Sequence, residues 1–395
     1  MNNYDSSPTI VSCEICESYS FKELRKTVEN AVLNAGGWPQ KVGSARKILL
    51  KPNLLSASSP EEAVTTHPEF IRAVICEIRR HADPEIVIGD SPAGDYPWDE
   101  LWEKTGLKRI AHEEDVELLP FTDIKRREIS GFGFVPALKE LEDFDAVISL
   151  PKLKTHVLTK ITGAVKNVYG LVPGNAKSGF HGEHPSPGKM ADFIAAFYAS
   201  CQPDFNIMDA VDCMEGNGPS NGRPLRSGLI FAGADAIALD CCACEIYGYR
   251  PSDIKIITLA MKYCGKDPDF CNAIQRKGDG WNKMKGIRAG RSSADFLNWI
   301  PEFMFHSLSL VLRCRPIVDN SLCIRCGICE KACSQKAISR KGNSFRISQR
   351  KCIVCMCCME SCPKHAVELV SPGIRTAGKI RQLFKNVDRK KTNVI

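Results

Sequence analysis

Helical periodicity alternates with short apolar stretches through the first 275 residues. A Ser-x-x-Glu sequence at residues 20–23 is typical of a helix start, and helical spacing continues to residue 34. Buried strands are predicted at 47–50, 85–88, 116–119, 146–150, 206–208 and 229–232, and further helices at 68–81, 98–112, 191–201 and 236–247. This alternation predicts an α/β fold with a large, mainly parallel sheet that is covered by helices.

Polar side chains collect in the loops that follow five of these strands. The loops carry the sequences KPN, GDSPAG, PKLKTH, DAVDCMEGNGP and GAD. In open α/β sheets, ligands bind outside the carboxyl ends of the strands. If the strands are parallel, all five loops meet at one edge, and we expect a shared ligand site there.

The side chains of these loops and of the segment after them suggest roles in catalysis and binding. Lysine can bind carboxylate or phosphate, histidine can carry a proton, and carboxylates can act as acids, bases or metal ligands. The predicted catalytic residues are His156, Lys154, Asp90 and Glu215. The predicted substrate-binding residues are Lys51, Asn53, Lys152, Lys166, Asn167, His181, His184, Asp209 and Asn217. The lysines could equally form a solvated face, and any one histidine could have a plain hydrogen-bonding role.

A long segment without clear periodicity follows the strand at 146–150. Residues 160–169 suit a helix whose N-terminus would attract an anion. From 171 to 189 neither a helical nor a strand period is visible, which is typical of a lid or binding loop. A mobile surface excursion is the alternative.

Eight cysteines near the C-terminus form two runs with the same spacing, Cys-x2-Cys-x2-Cys-x3-Cys. In bacterial two-cluster ferredoxins, which this segment resembles, the fourth cysteine of such a run binds the other cluster. The sequence therefore predicts two [4Fe–4S] clusters. One cluster would be held by Cys323, Cys326, Cys329 and Cys362, and the other by Cys352, Cys355, Cys358 and Cys333. Two zinc knuckles are the alternative, since thiolates also bind zinc.

The role of the other twelve of the 20 cysteines is left open, but two groups of them are expected to be packed thiols. Cys13 and Cys16 lie on an alternating strand, where they would face opposite sides. An apolar helix carries Cys241, Cys242 and Cys244. Cys357 is an extra thiol inside the second run and is either a bystander or an exchangeable ligand. So many thiols suit an organism that lives with little oxygen.

Composition and charge narrow the class of protein. Hydrophobic residues make up 44% and charged residues 25%, which is typical of a globular chain. We find neither a secretory signal nor a transmembrane segment, so a cytoplasmic location is predicted. The net charge of +7 is mild, and no dense basic stripe precedes the last twenty residues. Nucleic acid is therefore not an expected partner.

Several motifs together resemble the domain of unknown function 362 family. The resemblance spans residues 8–265 and rests on KPN, GDSPAG, PKLKTH, TGAVKN, DAVDCMEGNGP and GADAIALD. That domain followed by a two-cluster ferredoxin module is similar to members from anaerobic bacteria and archaea. The resemblance implies the fold and the architecture but no substrate. The predicted divisions are an α/β domain at 1–275, a linker with a packing helix at 276–317, a small α+β ferredoxin-like domain at 318–371 and a basic tail at 372–395.

The combination of a polar strand-end edge with a ferredoxin module suggests a redox enzyme. Electrons from a redox partner protein, a ferredoxin or an oxidoreductase, would pass through the clusters to an anionic substrate or to a cofactor. Whether the α/β domain holds its own metal or organic cofactor is left open. The alternatives are an electron carrier that docks a partner oxidoreductase, and an assembly factor that hands over a metal or cluster.

Overall fold

The computed structural model describes residues 8–183, 186–293, 295 and 315–370. The packing helix that is predicted within the linker, at residues 294–312, lies outside these residues apart from Asp295, and so does the basic tail. His184 and the side chain of His181 also lie outside them. No helix in the described part of the chain is long and apolar enough to cross a membrane.

Ten strands form one sheet in the larger part of the chain. They are β1 (Ile10–Ile15), β2 (Lys47–Pro52), β3 (Glu85–Asp90), β4 (Glu117–Pro120), β7 (Ala146–Leu150), β8 (Lys152–His156), β9 (Lys160–Thr162), β10 (Phe205–Asn217), β11 (Asn221–Gly233) and β12 (Gln275–Lys277). β5 (Ile124–Ile129) and β6 (Gly133–Leu138) form a separate hairpin. The main order is β12-β1-β11-β10-β7-β2-β3-β4, with β8 beside β10 and β9 beside β8.

Helices cover both faces of this sheet. They are α1 (Phe21–Asn34), α2 (Gln40–Gly43), α3 (Pro68–Arg79), α4 (Trp98–Lys104), α5 (Leu107–Glu113), α6 (Ala164–Asn167), α7 (Gly174–Glu183), α8 (Pro187–Ser200), α9 (Ala236–Ala243), α10 (Lys255–Tyr263) and α11 (Gly280–Gly286). Alternate strand residues point to opposite faces. Ile48 accordingly packs with α1 and α3, whereas Leu49 packs in the cluster formed with α8, α9 and α10. Cys13 and Cys16 divide between the same two clusters.

Most neighbouring strands are parallel, as the alternation predicts, but β11 runs antiparallel to both β10 and β1. A short turn at residues 218–220 joins β10 to β11, and so short a connection allows only antiparallel pairing. Gly233 at the end of β11 therefore lies opposite Asn206 near the start of β10. The loop at residues 233–235 lies at the other edge of the sheet, so the prediction that all five loops converge is wrong for this one.

Several predicted boundaries are also wrong. The helix at 98–112 is two helices, because Gly106 takes a left-handed φ of 74° between them. The segment from Lys152 to His156 is a strand, and β10 continues through the region predicted as a loop after residue 208. Residues 160–169 form a short strand and a short helix, and 171–189 is largely helical. The polar composition of α7, which includes three glycines, hides its helical period.

Helix α1 begins where the Ser-x-x-Glu sequence predicts, but without the expected capping box, in which the Ser and Glu side chains bond to main-chain amides at the helix start. Ser20 is its first flanking residue, but its side chain makes no capping hydrogen bond. The carboxylate of Glu23 accepts hydrogen bonds from the Glu17 amide and the Ser18 hydroxyl instead. The expected capping box is therefore replaced by a turn that precedes the helix.

The cysteine-rich part is a small α+β unit. It contains β13 (Arg315–Val318), α12 (Ile328–Lys331), β14 (Ile338–Lys341), β15 (Ser344–Ile347), α13 (Cys357–Glu360) and β16 (Val367–Val370). β13 pairs with β16 and β14 with β15, both antiparallel. The protein thus combines a large α/β part with a small ferredoxin-like part. The domain boundaries given above remain predictions.

Candidate functional site

Two groups of four cysteines come together in the small unit. Cys323, Cys326, Cys329 and Cys362 line one cavity. Cys333, Cys352, Cys355 and Cys358 line another. Left-handed residues such as Arg325 and Val354 turn each loop so that its thiols converge. Four thiolates are the donor set of a [4Fe–4S] cluster, so both groups fit that cofactor in the pairing that the spacing predicts.

A polar cavity lies where the carboxyl ends of the large sheet meet the small unit. It is lined by Asn53, Leu54, Leu55, Asp90, Ser91, Ala93, Thr162, Lys166, Asn167, Tyr169, Gly170, Lys177, Cys357 and Glu360. We call this the interdomain cavity. Its volume is about 50 Å³, which is room for a few water-sized groups.

Only some of the predicted residues reach this cavity. Asn53, Asp90, Lys166 and Asn167 line it. Thr162, Lys177 and the two residues from α13 were not among the predicted site residues. Lys177 sits in the segment whose helical period is hidden. Cys357 and Glu360 belong to the second cysteine run, and nothing in that run indicates which side faces the sheet.

Lys51 and Asp90 form a buried ion pair beside the cavity. The Nζ–Oδ1 distance is 2.9 Å, and Asp90 Oδ2 also accepts a hydrogen bond from the Leu54 amide at 2.8 Å. Burial lowers the pKa of Lys51, and Asp90 partly offsets that effect. A Cβ at Gly170 would lie 1.9 Å from Asp90 Oδ1, so only glycine fits over this pair.

Lys154 anchors a network of amide side chains. Its Nζ donates to Asn53 Oδ1 and to the Val64 carbonyl, each at 2.7 Å. Asn53 in turn donates to Asn167 Oδ1 at 3.3 Å, and Asn167 donates to the Lys51 carbonyl at 3.1 Å. Burial lowers the pKa of Lys154 well below its usual range.

Two further lysines face the cavity from the segment after β9. Burial lowers the pKa of Lys166, with Glu360 and Cys357 acting in the opposite direction. Lys177 donates to the carbonyls of Ser91 and Pro92, and burial lowers the pKa of Lys177 to about 7. The expected anion site at a helix N-terminus is not formed, because Asp240 occupies it. The Asp240 carboxylate accepts hydrogen bonds from the first two amides of α6 at 2.6 and 3.0 Å.

His156 lies at the end of β8 and faces the small unit. Its Nδ1 accepts hydrogen bonds from the Leu158 and Thr159 amides at 3.1 and 3.3 Å, which assigns the proton to Nε2. Nε2 lies 3.2 Å from Glu360 Oε1. His156 itself is buried and does not line the cavity, but Glu360 does.

Lys152 and Asp209 form a second buried ion pair, away from the cavity. Their Nζ–Oδ2 distance is 2.8 Å, and both side chains are fully buried. Tyr19 Oη lies 2.8 Å from each of them, and the His67 amide donates to Asp209 at 3.0 Å. This pair ties the strand ends to α1 and α3 and leaves no free group for a substrate.

Glu215 and Asn217 are near the tip of the β10–β11 hairpin. Glu215 pairs with Arg223 at 2.5 Å and accepts from the Gly290 amide, while Asn217 accepts from the Ser293 amide at 2.9 Å. They are not brought together with the cavity. In the described residues, no three His, Cys, Asp or Glu side chains are close enough to hold a single metal ion.

The small unit is docked on this edge by specific contacts. Tyr96 Oη donates to the Ser361 carbonyl at 2.6 Å, and Asn221 Nδ2 donates to the Val367 carbonyl at 2.8 Å. Val157 and Leu158, which follow β8, pack in the apolar core of the small unit. These contacts place α13 against the interdomain cavity.

Comparison with known families agrees with this two-part arrangement. The family described as "Domain of unknown function (DUF362)" matches residues 48–245, half of the chain. The chain belongs to the DUF362 family. A 4Fe-4S dicluster domain matches residues 322–375. This member of the DUF362 family therefore carries an iron–sulfur domain of the electron-transfer type, as the cysteine spacing predicts.

Two curated relatives of this DUF362 protein match different parts of it. A thylakoid-associated protein from Synechocystis sp. is 30% identical over 254 residues, which is 64% of this chain and 78% of that protein. Pyruvate synthase subunit PorD from Methanocaldococcus jannaschii is 39% identical over 57 residues, 14% of this chain and 66% of the subunit.

Among solved structures, the lactate racemase apoprotein from Thermoanaerobacterium thermosaccharolyticum is similar in part. It shares 14% identity with a TM-score of 0.42, over 60% of this chain. The chain spans 57% of that protein's length.

Proposed function

We propose that this protein is a ferredoxin-linked oxidoreductase. It would take electrons from a redox partner protein and deliver them, through two [4Fe–4S] clusters, to a small molecule or cofactor in the interdomain cavity. One observation carries the proposal: the cavity is walled on one side by Asn53 and Asp90 at the strand ends and on the other by Cys357 and Glu360 of the cluster-binding unit.

The position of Cys357 explains how the cavity could receive electrons. When bound, the clusters supply one-electron transfer. Cys357 lies between Cys355 and Cys358, two of the proposed ligands of the second cluster, and its own side chain lines the cavity. A molecule in the cavity would therefore sit next to that cluster.

Reduction of an organic group takes up protons as well as electrons, and His156 supports the proton side. Its Nε2 carries the proton and points at Glu360, whose side chain lines the cavity. A proton carried by the Glu360 carboxyl would lie at the cavity wall, and the His156 Nε2–H would hold that carboxyl in position. His156 is therefore a positioning residue.

The first cluster group suggests where electrons enter. Cys326 is exposed, and the flanking side chains of Leu322 and Ile324 are 49% and 57% exposed. The exposed basic residues of the small unit include Arg325, Lys336, Arg340, Lys341, Arg346, Arg350 and Lys351, besides Lys331, which pairs with Asp95 of the α/β part. Exposed positive charge of this kind suits a redox partner with an acidic surface, since complementary charge speeds association. The same charge would serve a plain electron carrier, which is the alternative.

The test follows the reoxidation of the reduced clusters. Protein purified without oxygen is reduced with dithionite, freed of reductant and mixed with fractions of a small-molecule extract of the source organism. We expect one fraction to restore the oxidised iron–sulfur absorbance faster than buffer does. In His156→Gln this acceleration should fall at least tenfold, because Glu360 loses the imidazole that positions it, while the iron content stays at about eight atoms per chain.

His81→Gln is the matched control, because His81 is an exposed histidine on a different part of the surface. It should behave as the wild type does. If no fraction accelerates reoxidation, the protein is an electron carrier and not an oxidoreductase. If His156→Gln reacts as fast as His81→Gln, His156 has no part in the reaction.

A further inference from the structure

Positive charges outnumber negative ones around the interdomain cavity: among the described residues, four lysines face the two carboxylates of Asp90 and Glu360. Lys51 is paired with Asp90, but Lys154, Lys166 and Lys177 have no carboxylate within 4.0 Å in the described part of the chain. Lys154 donates to the Asn53 side-chain oxygen and the Val64 carbonyl, which are neutral. Lys177 likewise donates to main-chain carbonyls only.

Uncompensated charge of this kind is costly inside a protein. A buried ammonium group needs a counter-charge or full hydrogen bonding, and otherwise tends to lose its proton. Burial indeed lowers the pKa of all three lysines. A negatively charged ligand in the cavity would compensate them. Lys166 is the best placed to contact it, because its side chain lines the cavity and donates no hydrogen bond to another described residue.

Thr162 provides a second, independent indication of a ligand. Its side chain is 3% exposed and lines the cavity. Its hydroxyl has no hydrogen-bond partner among the described residues. A buried hydroxyl without a partner is uncommon, and an acceptor atom in the cavity would satisfy it.

We propose that the interdomain cavity binds the carboxylate group of a small organic acid. Lys166 and Thr162 would contact its oxygens, and the nearby positive charges of Lys154 and Lys177 would help to compensate its charge. This rests on the proposed function only in treating that acid as the molecule that accepts electrons.

The geometry favours a carboxylate over phosphate. The cavity, at about 50 Å³, is small. Phosphate is commonly held by free amides at a helix N-terminus, but the first amides of α6 already donate to Asp240. The available donors are an ammonium group and a hydroxyl, which suit a planar group with two oxygens.

Binding can be measured without any redox reaction. The oxidised full-length protein with both clusters is titrated calorimetrically, without oxygen, with acetate, oxalate and inorganic phosphate, each against chloride at equal ionic strength. We expect saturable binding of acetate or oxalate. Lys166→Met should weaken it by about 10- to 100-fold, the effect of losing one hydrogen bond to a charged group. Thr162→Val should weaken it by about 2- to 10-fold.

Lys189→Met, a change at an exposed lysine, is the control and should bind as the wild type does. Thr162→Val is nearly isosteric, so it keeps the test valid if Lys166→Met does not fold. Equal affinity in Thr162→Val and wild type, or no saturable carboxylate binding, would overturn the proposal. Tighter binding of phosphate than of either carboxylate would overturn the choice of ligand. If carboxylates bind but no extract fraction accelerates cluster reoxidation, the carboxylate site is supported and the proposed oxidoreductase function is refuted.

Discussion

Lys177 shows what burial does to one charged side chain. Its ammonium reaches only carbonyl oxygens, and burial lowers its pKa to about 7, with Asp90 opposing and Lys51 adding to the effect. In the unfolded chain a lysine titrates near 10.4. Between these two values the unfolded chain binds more protons than the folded protein does.

This difference predicts a pH dependence of stability. Because the folded pKa is lowered, the contribution of Lys177 is complete above about pH 10 and is lost as the pH falls through about 7. The apparent Tm of the wild type, relative to that of Lys177→Met, should therefore rise between about pH 7 and pH 10. One group contributes about 1.4 kcal/mol per pH unit in this range. Lys189→Met should follow the wild type, and parallel curves for wild type and Lys177→Met would contradict the assignment.

At the level of residues, the sequence located four of the fourteen residues that line the interdomain cavity. Asn53 directly follows β2 and Asp90 is the last residue of β3, and the carboxyl end of a parallel strand is the position that the parallel-sheet rule marks. Thr162 and Glu360 could not be found in this way, because neither follows a strand of the parallel set. The prediction that Glu215 lies in the shared site is wrong. Strand β10 does not end at residue 208 but has 13 residues in all, and it carries Glu215 away from the edge of the sheet.

At the scale of elements, the start of helix α6 packs tightly against Asp240, and this contact can be tested. A Cβ at Gly163 would lie 2.1 Å from Asp240 Oδ1, so the cap and the start of α6 would have to separate. Gly163→Ala should lower the free energy of unfolding by about 1–3 kcal/mol, as overpacking does. Urea unfolding followed by tryptophan fluorescence measures this.

Gly179→Ala in α7 provides the contrast. A Cβ there meets nothing within 4 Å, and alanine is the better helix former. It should be neutral or stabilise by about 0.5–1 kcal/mol. A loss of stability as large as that of Gly163→Ala would show that the Asp240 contact is not the cause.

The sequence predicts some strands more clearly than others. Strands β2, β3 and β7 are buried on both faces and are flanked by polar loops, so the sequence marks them clearly. In contrast, the far half of the β10–β11 hairpin is partly exposed and rich in glycine and charge, which is a loop composition. Its strand structure comes from cross-strand pairing that continues to Asn217 and Asn221.

For the whole molecule, the docking of the small unit is the property to test. Tyr96→Phe removes the hydrogen bond to Ser361 and should weaken the docking by about 1 kcal/mol. The amides of Val157 and Leu158, which are covered by the small unit, should then exchange their hydrogens faster. Hydrogen exchange detected by mass spectrometry measures the exchange rates of these amides.

Tyr263→Phe loses a similar hydrogen bond, to Asp192 within the α/β part, and is the matched control. It should leave exchange at Val157 and Leu158 unchanged. Equal exchange in Tyr96→Phe and wild type would mean that Tyr96 does not hold the two parts together.

The two-part architecture itself was predictable, because alternation and cysteine spacing act over long stretches of the chain. How the parts dock was not, since Tyr96, Asn221 and Leu158 lie far apart in the sequence and none carries a recognisable pattern.

Because α13 forms one wall of the interdomain cavity, completion of the cavity depends on insertion of the clusters. Eight thiols that converge without metal repel one another once ionised, so we expect the small unit to reach its final shape only when iron and sulfide are inserted. Cys357 and Glu360 would close the cavity only then. A newly made chain would lack the complete cavity until maturation ends, so a ligand of the cavity would bind only to protein that already carries its clusters.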